Sequence, residues 1–490
     1  MKKLLAIILA LVLVLSLCAC DPAQAGSTNG SDNATTDTTG GTEAGGLLVG
    51  YGRADITPYD SVPLMGYGTT ERRMSTGFKS YLYQVALAVT DSEGDTAIVI
   101  AADACWFSAD TAKEIRNEIE SACGVPADNI IISACHQHSA PDMYNSKAPS
   151  GIAYKTNVFI PGAVAAAKAA MENRAPATVQ ATSVETENMN FVRQYIMEDG
   201  SYAGDNYGDW TLKPVAHETE VDNELQLIKF IREGQTTQDG KEAKNIILTN
   251  FQGHPHRGSG SSDTSAHSDM VGIYRDELEA ALDCHAIYFS GAGGNVNMHS
   301  RIASENITAD YKAQGRALVQ YAVDAESTYK DIFFDDVKAT KMSFEATYNH
   351  SEDHRVSEAE EAYNQWLNTG SMELVKKYGF NSQYHAKYVV AKAKLGKSYN
   401  FEIFTLAFGD VGFIGAPYEM FDTNGMEMKE GSPFEMTIVS TIANGGEGYI
   451  PSQLGYDHGG YSVDTSYLVP GTGEQLRDAY LSMLNQLHGE

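Results

Sequence analysis

Five short stretches of this 490-residue chain concentrate side chains able to do chemistry. The first is Cys135-His136-Gln137-His138-Ser139, which follows the apolar run Asn129-Ile-Ile-Ile-Ser. Alternate side chains of an extended chain share a face, so His136 and His138 are expected to project together. Two imidazoles at that spacing can ligate one metal, or one can ligate while the other serves as acid or base. Two solvated histidines in a polar loop are the plain alternative. The second stretch is Gly253-His254-Pro255-His256, delivered by Ile246, Ile247 and Leu248, with Pro255 holding His254 extended. The third, Ser290-Gly-Ala-Gly-Gly-Asn295-Val-Asn297-Met-His299, is a glycine-rich turn that lets backbone approach a ligand closely. It lacks the residue order of nucleotide-binding loops. The fourth places Glu419 after Pro417 at the end of an apolar run, and the fifth is Asn444-Gly-Gly-Glu447-Gly-Tyr449-Ile-Pro, with Tyr461 beyond it. Taken singly, a glutamate at a strand end is an ordinary solvated residue.

The elements that must hold these stretches alternate between strands and helices. Thr96–Ala102, Asn129–Ser133, Glu224–Ile231, Asn245–Asn250, Ala286–Ser290 and Phe401–Ile414 read as strands, from their β-branched and apolar runs. Thr111–Ala122, Pro161–Asn173, Met270–Leu282, Asp310–Ala325, Val356–Lys377 and Glu474–Leu487 read as helices. Such alternation predicts an α/β fold of layered sheets flanked by helices. The five stretches fall at strand ends, where loops carry side chains on a rigid frame.

The chain carries 35 Lys and Arg against 64 Asp and Glu, a net charge of −29 at pH 7. A surface this acidic repels phosphate backbones and excludes a nucleic-acid partner. Lys2, Lys3 and the apolar Leu4–Leu17 predict a signal peptide over residues 1–19. Leu17-Cys18-Ala19-Cys20 has the form of a lipobox, which predicts acylation of Cys20 and a protein anchored by lipid to the outer face of a cell membrane. Residues 20–46 are nearly all Gly, Ser, Thr, Asn, Asp and Ala, a composition that cannot repay its ordering entropy, and are expected to form a disordered tether. The folded body is thus expected over residues 47–490. Its cysteines, Cys105, Cys123, Cys135 and Cys284, have no CxxC spacing and point to neither a thiolate zinc site nor a disulfide framework.

Together the stretches resemble the N-terminal domain of the neutral/alkaline non-lysosomal ceramidases. Gly52-Arg53-Ala54-Asp55-Ile56-Thr57-Pro58 and Met65-Gly66-Tyr67-Gly68 look like that domain's opening. The HxHS segment, Gly253-His254-Pro255, Ser268-Asp269, Gly294-Asn295-Val296-Asn297, Pro417-x-Glu419 and Gly448-Tyr449 then follow in the family's order. The resemblance implies a zinc ion held by His136, His254, Glu419 and Tyr449, with His138, Arg193 and Tyr461 beside it. It further implies hydrolysis of the amide bond of an N-acyl compound, such as ceramide, by a metal-activated water. Two imidazoles and a carboxylate are a common zinc ligand set.

One turn departs from the family pattern. Where the ceramidases carry Gly-Asp-Val-Ser-Pro-Asn, this chain has Gly294-Asn295-Val296-Asn297-Met298-His299, so Asn297 stands in place of the serine that would meet the substrate. The family's C-terminal immunoglobulin-like domain is not expected here. The alternative to a hydrolase is a lipid-anchored, catalytically inactive ligand-binding protein of the same fold.

Overall fold

The computed structural model describes residues 46–67, 73–144 and 148–489. The signal of residues 1–19, Cys20, the tether up to Gly45, and Gly68 lie outside the described residues.

The first sheet contains β1 (Leu48–Asp55), β2 (Tyr83–Thr90), β3 (Thr96–Ala102), β4 (Ile130–Ala134) and the short edge β5 (Ala175–Pro176), in the order β4-β3-β2-β1-β5. Its alternation is strict. Val99 and Ala101 of β3 face the interior core, while Ile98 and Ile100 face the helices α1 (Ala109–Cys123) and α2 (Ile160–Glu172). Both faces are buried, which explains the near-continuous apolar runs. Ser108 caps α1 by accepting from Thr111 N, and Gly124 closes it at φ 73°. The alanine-rich α2 lies so close to β1 that a Cβ at Gly50 or Gly52 would come within 2.0 Å of the Ala170 or Ala166 carbonyl oxygen.

The second sheet contains β6 (Thr178–Glu185), β7 (Glu224–Ile231), β8 (Ile246–Phe251), β9 (His285–Ser290) and β10 (Lys330–Asp331), in the order β9-β8-β7-β6-β10. The parallel pair β8 and β9 is joined through α3 (Asp269–Leu282), against which α4 (Tyr311–Asp324) packs. The third sheet runs β11 (Val337–Thr347), β12 (Ser398–Phe408), β13 (Val411–Ala416) and β14 (Met436–Thr441) in chain order. A helical excursion, α5 (Val356–Thr369), α6 (Glu373–Lys377) and α7 (Gln383–Lys392), separates β11 from β12. Helices α8 (Asp422–Glu430) and α9 (Thr472–His488) cover the third sheet's outer face. One core, holding Val85, Val99, Ile131, Leu227, Ile247, Ile287, Phe404 and Phe413 among others, is shared by all three sheets. The architecture is the expected α/β layering of sheets between helices.

Two elements differ from the sequence reading. The single strand expected over Phe401–Ile414 is a hairpin, turned at Gly409 (φ 58°) between β12 and β13. The continuous helix expected over Val356–Lys377 is interrupted at Gly370 (φ 71°), whose N–H caps Trp366 O and leaves α6 as a separate short turn.

Candidate metal centre and its surroundings

The candidate residues leave the C-terminal ends of three parallel strand pairs: β3 with β4, β8 with β9, and β13 with β14. Strand ends of one polarity from three sheets therefore meet at one place. Backbone bonds fasten the loops there. His136 N donates to Ala104 O, His254 N to Val296 O, Arg193 N to Asn295 O, Gly294 N to Met420 O and Glu419 N to Gly448 O. Ile442 follows β14 at φ 51°, a conformation that costs a β-branched residue of the order of 1–2 kcal/mol. There its carbonyl accepts from Ala134 N and its N–H donates to Tyr418 O, joining the His136 loop to the Glu419 loop. Asn444 donates to Ile130 O and accepts from Ile132 N, and Asn250 donates to Phe289 O and Val439 O. Both are buried staples between sheets.

His136, His254 and Glu419 converge, with one donor atom from each lying within 4.8 Å of the others. The Glu419 carboxylate oxygen Oε2 is 3.2 Å from His136 Nε2 and 3.1 Å from His254 Nε2. The Nδ1 atoms are engaged elsewhere, His136 with Cys105 O at 2.7 Å and His254 with Val296 O at 3.1 Å. A carbonyl accepts only from N–H, so both Nδ1 atoms carry the proton and both Nε2 lone pairs face the carboxylate. Three acceptors aimed at one point require a shared proton or a cation between them. Ligands of tetrahedral zinc at ~2.1 Å from the ion stand ~3.4 Å apart, close to the spacing here. The residues fit zinc. Without a cation, burial opposes charge on His136, but the Glu419 carboxylate raises its pKa well above the usual imidazole value. Burial and then the Arg193 charge depress His254 to about 3. A second group, Cys105, His136 and His138, also lies close together. There the thiol sits 3.9 Å from His136 Nδ1, the nitrogen already given to Cys105 O, so the histidine–glutamate set is the better donor set.

The other expected residues surround these three. His136 departs from the extended geometry assumed for HxH: its φ is 68°, and β4 ends at Ala134. The two rings nevertheless meet, with His138 Nε2 3.3 Å from His136 Nε2. The left-handed turn, rather than strand alternation, brings them together. Burial and the His136 charge hold the His138 pKa well below its usual value. Tyr449 pairs with Glu419 in a two-residue parallel ladder. The buried Arg193 guanidinium lies 5.4 Å from the Tyr449 ring and 6.0 Å from the Tyr461 ring. It donates to Gly294 O at 2.7 Å and Ser462 Oγ at 2.8 Å. Burial and the Glu419 charge push the Tyr461 phenol up to about 12. Asn297 bridges to His254 in a short parallel pairing, and its Oδ1 accepts from His256 Nε2 at 3.1 Å.

Several residues here carried no assignment from sequence. His256 stands 5.0 Å, centroid to centroid, from His138, and the Asp205 carboxylate lies 3.7 Å from Arg193 Nη1. His256 repeats the two-residue histidine spacing of HxH, a signal available in the sequence. Asp205 lies in a loop with no pattern to mark it. Asp269, quoted from sequence only as part of a motif, accepts from Gly258 N at 2.7 Å and so fixes the loop after His254. Asn295 donates to Asp422 Oδ1 at 2.7 Å and accepts from Asp422 N at 2.9 Å, pinning the glycine-rich turn to the start of α8.

The chain is similar to known proteins in sequence and in fold. The family described as neutral/alkaline non-lysosomal ceramidase, N-terminal, matches residues 47–260. A neutral ceramidase of Oryza sativa subsp. japonica is 31% identical over 100 residues, which is 20% of this chain and only 13% of that relative's length. The crystal structure of neutral ceramidase from Pseudomonas aeruginosa superposes with a TM-score of 0.66 at 14% identity, covering 90% of this chain and 75% of that one. A ceramidase complexed with C2 gives 0.65 at 13% identity, with the same coverage of both chains. Residues 47–260, which hold both histidine loops, thus resemble the neutral/alkaline non-lysosomal ceramidase N-terminal family, and the fold is shared with a neutral ceramidase over most of the chain.

Proposed function

We propose that the protein is a zinc-dependent hydrolase that cleaves the amide bond of an N-acyl compound of the kind ceramide represents. The observation that carries this reading is the convergence of two Nε2 lone pairs and one carboxylate oxygen, in His136, His254 and Glu419, on a single point. Tyr449, adjacent to Glu419 in the ladder, is the fourth candidate ligand. Zinc held there supplies Lewis acidity, polarising a carbonyl oxygen and making water acidic near neutral pH.

The chain's own groups account for the rest. His138 is held neutral by its burial, and its Nε2 faces the donor set, so it can take a proton from water and return it to the leaving amine. Arg193 stays charged at any working pH because Tyr449 and Asp205 outweigh its burial. Tyr461 stays protonated and so remains a donor. A fixed cation and a phenol beside the scissile carbonyl are suited to stabilising developing negative charge. The Asn297 amide offers no hydroxyl; its oxygen is committed to His256. The lipid anchor at Cys20, placement on the outer face of a cell membrane, and the division into signal, tether and body belong to the same proposal.

Metal analysis of the purified protein tests it: about one zinc per chain is expected, lost in His136→Ala and in His254→Ala, together with hydrolysis of N-acyl substrates. Absence of zinc would sink the proposal. Zinc bound without turnover of any N-acyl amide would instead favour the inactive binding protein, which the asparagine at position 297 supports.

A further inference from the structure

A cavity of about 530 Å³ opens beside the donor set, lined by His256, Arg257, Ser259, His299, Asn306 and Thr308. His256 links the two: its ring lies 5.0 Å from His138 on one side and 6.0 Å from His299 on the other. The lining is polar, and no carboxylate occurs among the described residues that form it. In a chain of net charge −29 this is unusual.

Charges of both signs surround the cavity, but Arg257 in its lining is not neutralised by a direct partner. Arg257 donates to Thr308 Oγ1 and to Thr308 O and, among the described residues, forms no ion pair. Asp269 and Asp310 act on it only from beyond ion-pair distance. A guanidinium has five N–H donors, so several remain available. Arg193 and Arg301 share one acid, Asp205, at 3.7 and 3.5 Å. Buried His299 Nδ1 has no hydrogen-bond partner. A buried polar atom without a partner, next to a cation free of ion pairs, marks a place where a ligand oxygen would satisfy both.

We infer that the cavity receives an anionic group of the substrate, a carboxylate a few bonds from the scissile amide, with Arg257 and His299 as its specificity-determining contacts. The inference rests on the hydrolase reading and narrows it: the preferred substrates are N-acyl amino acids rather than N-acyl sphingoid bases. A carboxylate paired with the Arg257 guanidinium gains a charge-assisted bond that a neutral analogue lacks.

The test compares three amides of one fatty acid on the zinc-loaded, full-length protein: N-dodecanoyl-glutamate, its uncharged diamide, and N-dodecanoyl-sphingosine. The glutamate amide is expected to show a kcat/KM at least tenfold above the other two. Arg257→Gln should abolish that preference chiefly through KM, and Arg257→Lys should restore part of it. Equal or faster cleavage of the diamide or the sphingosine amide would overturn the inference while leaving the hydrolase reading intact. If none of the three is cleaved, the hydrolase reading fails, and calorimetric titration with N-dodecanoyl-glutamate then decides the cavity. Binding weakened at least tenfold in Arg257→Gln supports the anionic site, and equal or absent binding in the two proteins overturns it.

Discussion

His138 and Asp422 show how single side chains here can be tested apart from the metal. His138 touches His136 but offers nothing to the shared point between His136, His254 and Glu419. His138→Ala should therefore keep its zinc while kcat falls by about 10²–10⁴, the usual share of a general acid–base group; metal content and turnover measured on one preparation check this. Asp422 is fully buried, and burial, against the pull of Asn295, lifts its pKa from 3.8 to about 6. The folded state then keeps a proton that the unfolded chain gives up as pH rises from about 4 to about 6. Stability falls across that window by up to about 3 kcal/mol and stays lost above it. Asp422→Asn should remove this slope, so urea unfolding at pH 4.5 and pH 8 should show the variant gaining on the wild type at the higher pH. The histidines and Glu419 were legible as residue types at strand ends. The reason given for His136 was not right, because a left-handed turn leaves no periodic trace. Asp205 was invisible for the same reason: a loop acid acquires its role only from the arginines that folding brings to it.

The strands and helices were easier to read, since apolar runs buried on both faces announce themselves. Boundaries were lost where a single glycine decides. Gly409 splits one apolar run into two strands, and Gly370 ends α5 early. The polar ties between elements left no pattern. Asp103, just past β3, takes two bonds from Arg275 of α3, at 2.7 and 3.1 Å, and one from Gln137, the residue between the two HxH histidines. It thus holds the loop of the candidate site to the second sheet's helix. All three side chains are buried. Asp103→Ala leaves a buried guanidinium uncompensated and should cost about 3–5 kcal/mol, seen as a lowered denaturation midpoint. A smaller cost would mean that water reaches Arg275.

At the scale of the whole molecule, most of the chain contributes to the cores that the sheets share with one another and with their helices, but α5–α7 do not. Those helices have a small core of their own, around Ala359, Ala362, Val375, Phe380, Ala386 and Val389. Their ties to the body include Asn381 with Asp464 and Tyr384 against Tyr461. Regions with few apolar contacts open first. Amide exchange over residues 356–392 is expected to be faster than over β3, β8 or β13, and uniform protection would contradict this. The sequence foretold the layering because it follows from element order, whereas nothing in residues 356–392 shows where they dock.

The donors of the candidate centre come from all three sheets, and His254 and Glu419 alone stand 165 residues apart. No fragment short of Glu419 can assemble the set. While the chain is still being made, the three donors have no common point to share. On the proposed zinc reading, loading would follow completion of the fold, in whatever compartment the finished protein occupies. The zinc supply of that compartment, rather than that of the place of synthesis, would set how much of the protein is active.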